Sequence, residues 1–234
     1  MIKILLLFIS TILFADVRVA TAGNAAFIVQ ALSKTFYQKT NIKVIPIIGS
    51  SGKLAAQIEH GAPYDIYLSA NMIYPEYLFK KELTITKPVV YARGRLVLFS
   101  RDDGISSLKD LLKAKKIAIA NPKTAPYGML AVDYLRQHHL YKKIKNKFVY
   151  APNIAAALNY AITDTNYAFI AKSLLFKFPK YNNPKHYIEL NDFYERTAQG
   201  AVLLKDKKEA RLFFNFLFSK EAKKIFEKYG YDVN

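Results

Sequence analysis

The sequence predicts an α/β protein built as two similar lobes, and three observations carry that expectation. Short apolar runs rich in Val, Ile and Ala alternate with segments whose apolar residues recur every three or four positions, the rhythm of strands and packed helices in a parallel sheet. The rhythm runs twice, in two stretches of about equal size. The 234 residues are 52% hydrophobic and 23% charged, which supplies apolar material for two small cores and leaves no long polar tract of the kind that stays disordered.

The chain opens with Met1-Ile2-Lys3, then apolar residues from Ile4 to Phe14, then Ala15 and the polar Asp16. One cation before a short apolar run is the layout of a secretory signal peptide (residues 1–15), with cleavage expected after Ala15. The run is too short to span a bilayer comfortably, and no other segment reads as transmembrane. The mature protein is therefore expected to be exported and soluble, and periplasmic if the source is a bacterium.

Val17 to Ala20 reads as the first strand. Gly23-Asn24 follows, with Asn24 placed to cap a helix that buries Phe27, Ile28, Ala31, Leu32 and Phe36. Asn41 to Ile48 is the next strand, ending in Gly49-Ser50-Ser51-Gly52. There Ser50 or Ser51 is the expected N-cap of a helix carrying Leu54, Ala55 and Ile58 and stopped at Gly61. Tyr64 to Leu68 is a third strand, before a helix that starts near Met72 with Pro75 in its first turn.

The second series begins with a strand at Arg95 to Phe99 and a short helix capped by Ser106 and running through Leu112. Lys116 to Ala120 is a buried strand, followed by the turn Asn121 to Gly128 and a helix to Gln137. Phe148 to Ala151 is a strand, Asn153 caps an alanine-rich helix from Ile154 to Ile162, and Ala168 to Ala171 is another strand. Residues 176–184 read as surface loop and 188–190 as a short strand. Ala201 to Leu204 is a clearer strand, placed to return the chain to the first lobe. The end is helical, with Leu212, Phe213, Phe216, Leu217, Ala222, Ile225 and Phe226 on one face and a stop at Gly230.

Several chemistries are disfavoured at once. The chain has no cysteine, so disulfides, thiolate metal sites and cysteine nucleophiles are out. The net charge of +17 comes from scattered lysines, whose densest group, Lys142-Lys143-Ile144-Lys145-Asn146-Lys147, reads as a solvated connector. With export, that pattern argues against nucleic acid and for solubility with modest steering of anions. His60, His138, His139 and His186 lack metal-ligand spacing and fall in expected surface segments. Asp65 could act as a general base, although holding nearby backbone or a serine is the simpler role. There is no phosphate loop, dinucleotide fingerprint or G-x-S-x-G elbow.

What remains is a set of strand ends followed by helix starts: Gly23-Asn24, Ser50-Ser51, Pro126-Tyr127-Gly128 and Asn153-Ile154. In open α/β sheets, ligands bind outside the carboxyl ends of the strands. Orphan first-turn N–H groups and the helix dipole favour negative charge there. Two facing lobes would bring such ends to one cleft, offering amides and hydroxyls with no obligatory cation. A small desolvated oxyanion suits that set, while each turn alone reads first as an ordinary capped βα connection.

With those loops assembled, the sequence resembles the periplasmic molybdate-binding proteins of molybdate ABC transporters, from about Val17 to Tyr231. The resemblance is carried by Gly49-Ser50-Ser51-Gly52 with the segment Ala56 to Asp65 and Ser69-Ala70, by Asn121-Pro122 with Ala125 to Gly128, and by the ending Ala222 to Tyr231. It implies a type II two-lobe periplasmic-binding-protein fold, with residues 16–91 and 199–234 as lobe I and residues 92–198 as lobe II. It also implies a non-enzymatic, monomeric receptor that hands molybdate or tungstate to a membrane permease and its ATPase, without a cofactor. The alternatives are a receptor for sulfate or another small oxyanion, and an exported enzyme on the same scaffold.

Carried over by position, Ser51 would give its hydroxyl and N–H to the oxyanion, and Tyr127 and Ile154 their N–H groups. Gly23 and Asn24 sit where the first loop supplies donors. The molybdenum of the bound molybdate would thus be surrounded by Asn24, Ser51, Tyr127 and Ile154. Gly23 and Ala171 depart from the commoner pattern, which has a serine and a tyrosine hydroxyl at those places. Selectivity is expected from cavity size: molybdate and tungstate are alike and larger than sulfate, and protonated phosphate meets no acceptor.

Overall fold

The computed structural model describes residues 16–102, 104–190 and 197–233. The expected signal peptide, residues 1–15, lies outside them. Among the described residues, ten strands form two five-stranded mixed sheets of identical pattern. In the first, β1 (Val17–Ala22) runs parallel to β2 (Val44–Gly49) and β3 (Ile66–Leu68), while β10 (Ala198–Leu203) runs antiparallel between β3 and β4 (Val89–Arg93). In the second, β6 (Ile117–Ala120) runs parallel to β7 (Phe148–Ala151) and β8 (Tyr167–Ala171), and β5 (Leu96–Ser100) is antiparallel between β8 and β9 (Tyr187–Glu189). Pro46, which has no ladder donor, is tolerated because β2 is an edge strand.

The strand period of two distributes the first lobe's core to both faces of its sheet. Val19, Ile66, Leu68, Ala201 and Leu203 pack on one face with Ile28, Leu32 and Phe36 of α1 (Ala26–Thr40), and with Phe213 and Phe226 of α7 (Lys208–Phe216) and α8 (Lys220–Lys228). Ala20, Tyr67 and Val202 face the other way, onto Leu54, Ala55 and Ile58 of α2 (Ser51–Glu59) and Leu78 of α3 (Ile73–Lys80). The second lobe builds its core from β5, β6 and β8 with α4 (Pro126–Gln137) and α6 (Ile154–Tyr160). Burying strands on both faces is what made them legible as short continuous apolar runs.

The chain crosses between the sheets at residues 93–96, on leaving β4, and again on entering β10. No helix among the described residues is long and apolar enough to cross a membrane.

Several local expectations need correction. Asn24 does not cap α1: residues 23–25 form a 3-10 turn, and α1 starts at Ala26 with no side-chain cap. Neither serine caps α2 through its side chain, although Ser50 holds the N-cap position. The cap of the short helix at Leu108–Leu112 is Ser107 rather than Ser106, in a capping box with Asp110. The lysine-rich connector contains a helical turn, α5 (Tyr141–Ile144), pinned by fully buried Ile144. His186 is buried, its Nδ1 lying 3.0 Å from the Ser100 carbonyl and its ring stacked on Phe99.

Candidate functional site

The carboxyl ends of β1, β2, β6 and β7 converge, and each feeds a helical turn. Their first residues line one small cavity: Ala22, Gly23 and Asn24 after β1; Gly49, Ser50 and Ser51 after β2; Ala125, Pro126 and Tyr127 after β6; Asn153 and Ile154 after β7; with Ala70 beyond β3. The five residues singled out from sequence, Gly23, Asn24, Ser51, Tyr127 and Ile154, are thus brought together. The cavity volume is about 10 Å³, room for about one water-sized sphere and far below a typical organic-ligand cleft of about 300–1,000 Å³. None of the lining residues carries a charge at neutral pH.

By helical geometry, the N–H groups of Ser51, Tyr127 and Ile154 stand in first turns, where no intrahelical acceptor exists. The α4 start is set by Pro126 at the first helical position. Gly128 lets α4 come close to its strand, since a Cβ there would lie 2.1 Å from the Ala120 carbonyl oxygen. The α6 start is fixed by Asn153, whose Oδ1 accepts from Ala156 N–H at 3.0 Å. The α2 start is braced by two bonds: Tyr67 Oη donates to the Ser51 carbonyl at 2.8 Å, and Ser51 Oγ accepts from Ala70 N–H at 3.0 Å. A hydroxyl that already accepts still has one proton to donate, and Ser51 is among the residues lining the cavity. Ser50 Oγ is also buried there, with no partner among the described residues.

The lobes touch across the site. Gly52 N–H donates to the Thr124 carbonyl at 2.8 Å, and a Cβ on Gly52 would lie 3.0 Å from that oxygen. Gly23 faces Asn153 of the other lobe, and a Cβ on it would lie 3.0 Å from Asn153 Oδ1. Glycine at position 23 is therefore matched by the asparagine opposite. Ala171 is fully buried at the end of β8 and is not among the residues lining the cavity.

Behind the cavity lies a buried polar network that sequence reading missed. Gln199 Oε1 accepts from Asn24 Nδ2 at 2.8 Å and from Tyr91 Oη at 2.7 Å, and Gln199 Nε2 donates to Tyr127 Oη at 3.2 Å. Asn24 Nδ2 also donates to Tyr231 Oη at 3.0 Å, and the Asn24 carbonyl accepts from Tyr231 Oη at 2.9 Å and from Ser173 Oγ at 3.0 Å. Both amide protons of Asn24 are thus engaged inside the protein, leaving its backbone N–H for the cavity. The Tyr127 ring is buried and tied in through its hydroxyl, so it carries structural weight that its position on a helix start does not announce. A Cβ at Gly94 would lie 2.0 Å from Tyr127 Oη and 2.5 Å from Gln199 Nε2, which keeps the crossing segment free of side chains at that point. Burial raises all three tyrosines above the ordinary phenol range, Tyr231 to about 12.

The alternative chemistries have less to work with. Asp65 lies at the amino end of β3, away from the cavity, where Oδ2 accepts from Arg18 N–H at 2.8 Å and Oδ1 pairs with Lys207 Nζ at 2.8 Å. Among the described residues, no group of three or more His, Cys, Asp or Glu is placed to hold a metal ion.

Two sheet-and-helix lobes enclosing a small cavity at their strand ends define a two-lobed ligand-binding protein. The chain belongs to the bacterial extracellular solute-binding protein family, which it matches over residues 17–232. The molybdate-binding protein ModA of Azotobacter vinelandii is 34% identical over 228 residues, covering 94% of this chain and 90% of the relative. That of Rhodobacter capsulatus is 31% identical over 224 residues, covering 92% and 88%. The solved structure of the Azotobacter vinelandii periplasmic molybdate-binding protein is similar with a TM-score of 0.86 at 28% identity, covering 94% of this chain and 100% of that one. The sulfate-binding protein SubI of Mycobacterium tuberculosis shares the fold, with a TM-score of 0.74 at 14% identity, covering 94% of this chain and 88% of that one.

Proposed function

We propose that the protein captures molybdate, and tungstate equally well, in the periplasm and delivers it to an ABC transporter. The observation that carries this reading is the convergence of helix starts from both lobes on one small cavity whose lining bears no charge. Neutral donors suit a permanently charged oxyanion: first-turn N–H groups of Asn24, Ser51, Tyr127 and Ile154, with the Ser51 hydroxyl, would surround it while helix dipoles offset its charge. Hydrogen bonds to a charged group contribute ~1.5–3 kcal/mol each, so four or five together reach the ~8–12 kcal/mol of micromolar to nanomolar binding. The names of the relatives support molybdate as the ligand.

The two lobes, residues 16–91 with 199–234 and residues 92–198, would close on the anion about the two crossings between sheets. The closed form would then be what a permease and its ATPase receive from a monomeric, non-catalytic carrier whose signal peptide is removed after Ala15. Titration calorimetry with molybdate, tungstate, sulfate and phosphate tests the reading. Comparable heats for molybdate and tungstate, with sulfate and phosphate far weaker, are expected. Tight sulfate binding without molybdate heat would reassign the site.

A further inference from the structure

The amide of Asn24 is arranged in a way that the proposed ligand should reverse. Asn24 lines the cavity and is 1% exposed, and its Oδ1 has no hydrogen-bond partner among the described residues. A buried acceptor without a donor is costly, and beside an oxyanion it is worse, since both groups only accept. The two ends of a carboxamide have nearly the same shape, so turning it over exchanges donor for acceptor at almost no steric cost.

Asn24 cannot turn alone, because its Oδ1 would then face Gln199 Oε1, acceptor against acceptor. If Gln199 turns with it, the contacts between the two amides and those to Tyr91 and Tyr127 are kept with their directions reversed, while Tyr231 Oη, with a single proton, is left between two acceptors. Gln199 Nε2 then donates to Asn24 Oδ1 and to Tyr91 Oη, and Gln199 Oε1 accepts from Tyr127 Oη, over the separations now spanned in the opposite sense. Tyr231 Oη can then donate to only one of its two acceptors on Asn24, and Ser173 Oγ still donates to the Asn24 backbone carbonyl. The turnover gives up one internal hydrogen bond at Tyr231 and the present acceptor of the Tyr91 proton, and in exchange places two N–H donors where the unpaired oxygen was, an exchange that only an anion would offset.

We infer that Asn24 and Gln199 turn over as a pair when the oxyanion enters, with Gln199 acting as a positioning residue that presents the Asn24 amide to the ligand. This rests on the oxyanion reading of the cavity and adds a donor to it. It also gives the site a donor from a side chain in a chain that has Gly23 and Ala171 where hydroxyls were expected. Gln199 is not among the residues lining the cavity. It is fully buried on β10, next to the irregular step in the ladder at Gly200, and its amide links the first-lobe loop, β4 and the second-lobe helix α4.

A double-mutant cycle on molybdate affinity tests this. Gln199→Met, which keeps the shape and removes the amide, is expected to weaken binding about tenfold in the wild-type background and less than about twofold in an Asn24→Ala background. Equal loss in both backgrounds would mean that Gln199 acts only through general stability, and would overturn the proposal. Amide NMR of the unmutated protein gives a second reading that does not depend on how the variants fold. Without ligand, Asn24 Nδ2 protons should show contacts to the Tyr231 ring and Gln199 Nε2 protons to the Tyr127 ring. With molybdate, the Gln199 contacts should move to Tyr91 and the Asn24 contact to Tyr231 should disappear. Molybdate binding with unchanged amide contacts overturns the paired turnover alone, whereas no binding by the wild type overturns the oxyanion reading and the turnover with it.

Discussion

Replacing Ser51 by alanine separates the observed role of its hydroxyl from the proposed one. Ser51 Oγ accepts from Ala70 N–H at 3.0 Å, and both residues are buried. Its remaining proton is the one proposed to reach the anion. Removing the oxygen leaves a buried N–H without an acceptor, at a cost of ~1–3 kcal/mol of stability, or a fall in melting temperature of roughly 2–10 °C for a chain of this size. Independently, it removes a donor to a doubly charged ligand, at ~1.5–3 kcal/mol of binding, or about 10- to 150-fold in affinity. Calorimetric titration with molybdate well below the variant's melting temperature reads the second effect, and a melt without ligand reads the first. A lower melting temperature with unchanged affinity would show that the serine only braces the Ala70 turn, and the assigned donor would be refuted.

Gly128→Ala should damage both fold and binding, because its Cβ would sit 2.1 Å from a backbone oxygen of β6, which cannot move aside as a side chain can. A stability loss of at least the ~1–3 kcal/mol of an overpacked core, with loss of molybdate binding, is expected in denaturant titration, and a near-neutral variant would contradict the packing. Asn153→Ala removes the α6 cap, costing ~1 kcal/mol of stability, and should weaken binding severalfold because the Ile154 N–H loses its fixed direction; calorimetry and a melt read both. Stability should also fall at high pH. Burial raises the Tyr231 phenol from 10.0 to about 12, so its contribution is complete below about pH 10 and is lost as pH rises toward about 12. Tyr91 and Tyr127 act in the same direction, and a denaturation midpoint unchanged between about pH 9 and pH 11 would contradict this.

Strand and helix positions were legible because both faces of each sheet are covered, so Ile66-Tyr67-Leu68 and Ile117-Ala118-Ile119-Ala120 are apolar throughout. Strand β4 was not, because it lies at a sheet edge with Val89 and Val90 half exposed and Pro88 before it. The cavity residues could be gathered from sequence because each lies just past a strand end, a position that local pattern marks. The Asn24–Gln199–Tyr91–Tyr127–Tyr231 network could not, since its members come from five separate segments and meet only by tertiary packing. The one available signal was a glutamine in the middle of an otherwise apolar strand, Ala198-Gln199-Gly200-Ala201-Val202-Leu203. Asn24 shows the same limit: its type suggests a cap, while its surroundings make it part of a buried network.

The central claim is that molybdate sits between the helix starts of the two lobes, held by main-chain N–H groups and Ser51. A crystal structure of the molybdate complex, with the metal located by its anomalous scattering, tests this directly. One strong peak is expected in the cavity, with the anion's oxygens within hydrogen-bonding distance of the nitrogens of Asn24, Ser51, Tyr127 and Ile154 and of Ser51 Oγ. A peak elsewhere, or a saturated crystal with none in the cavity, would contradict it.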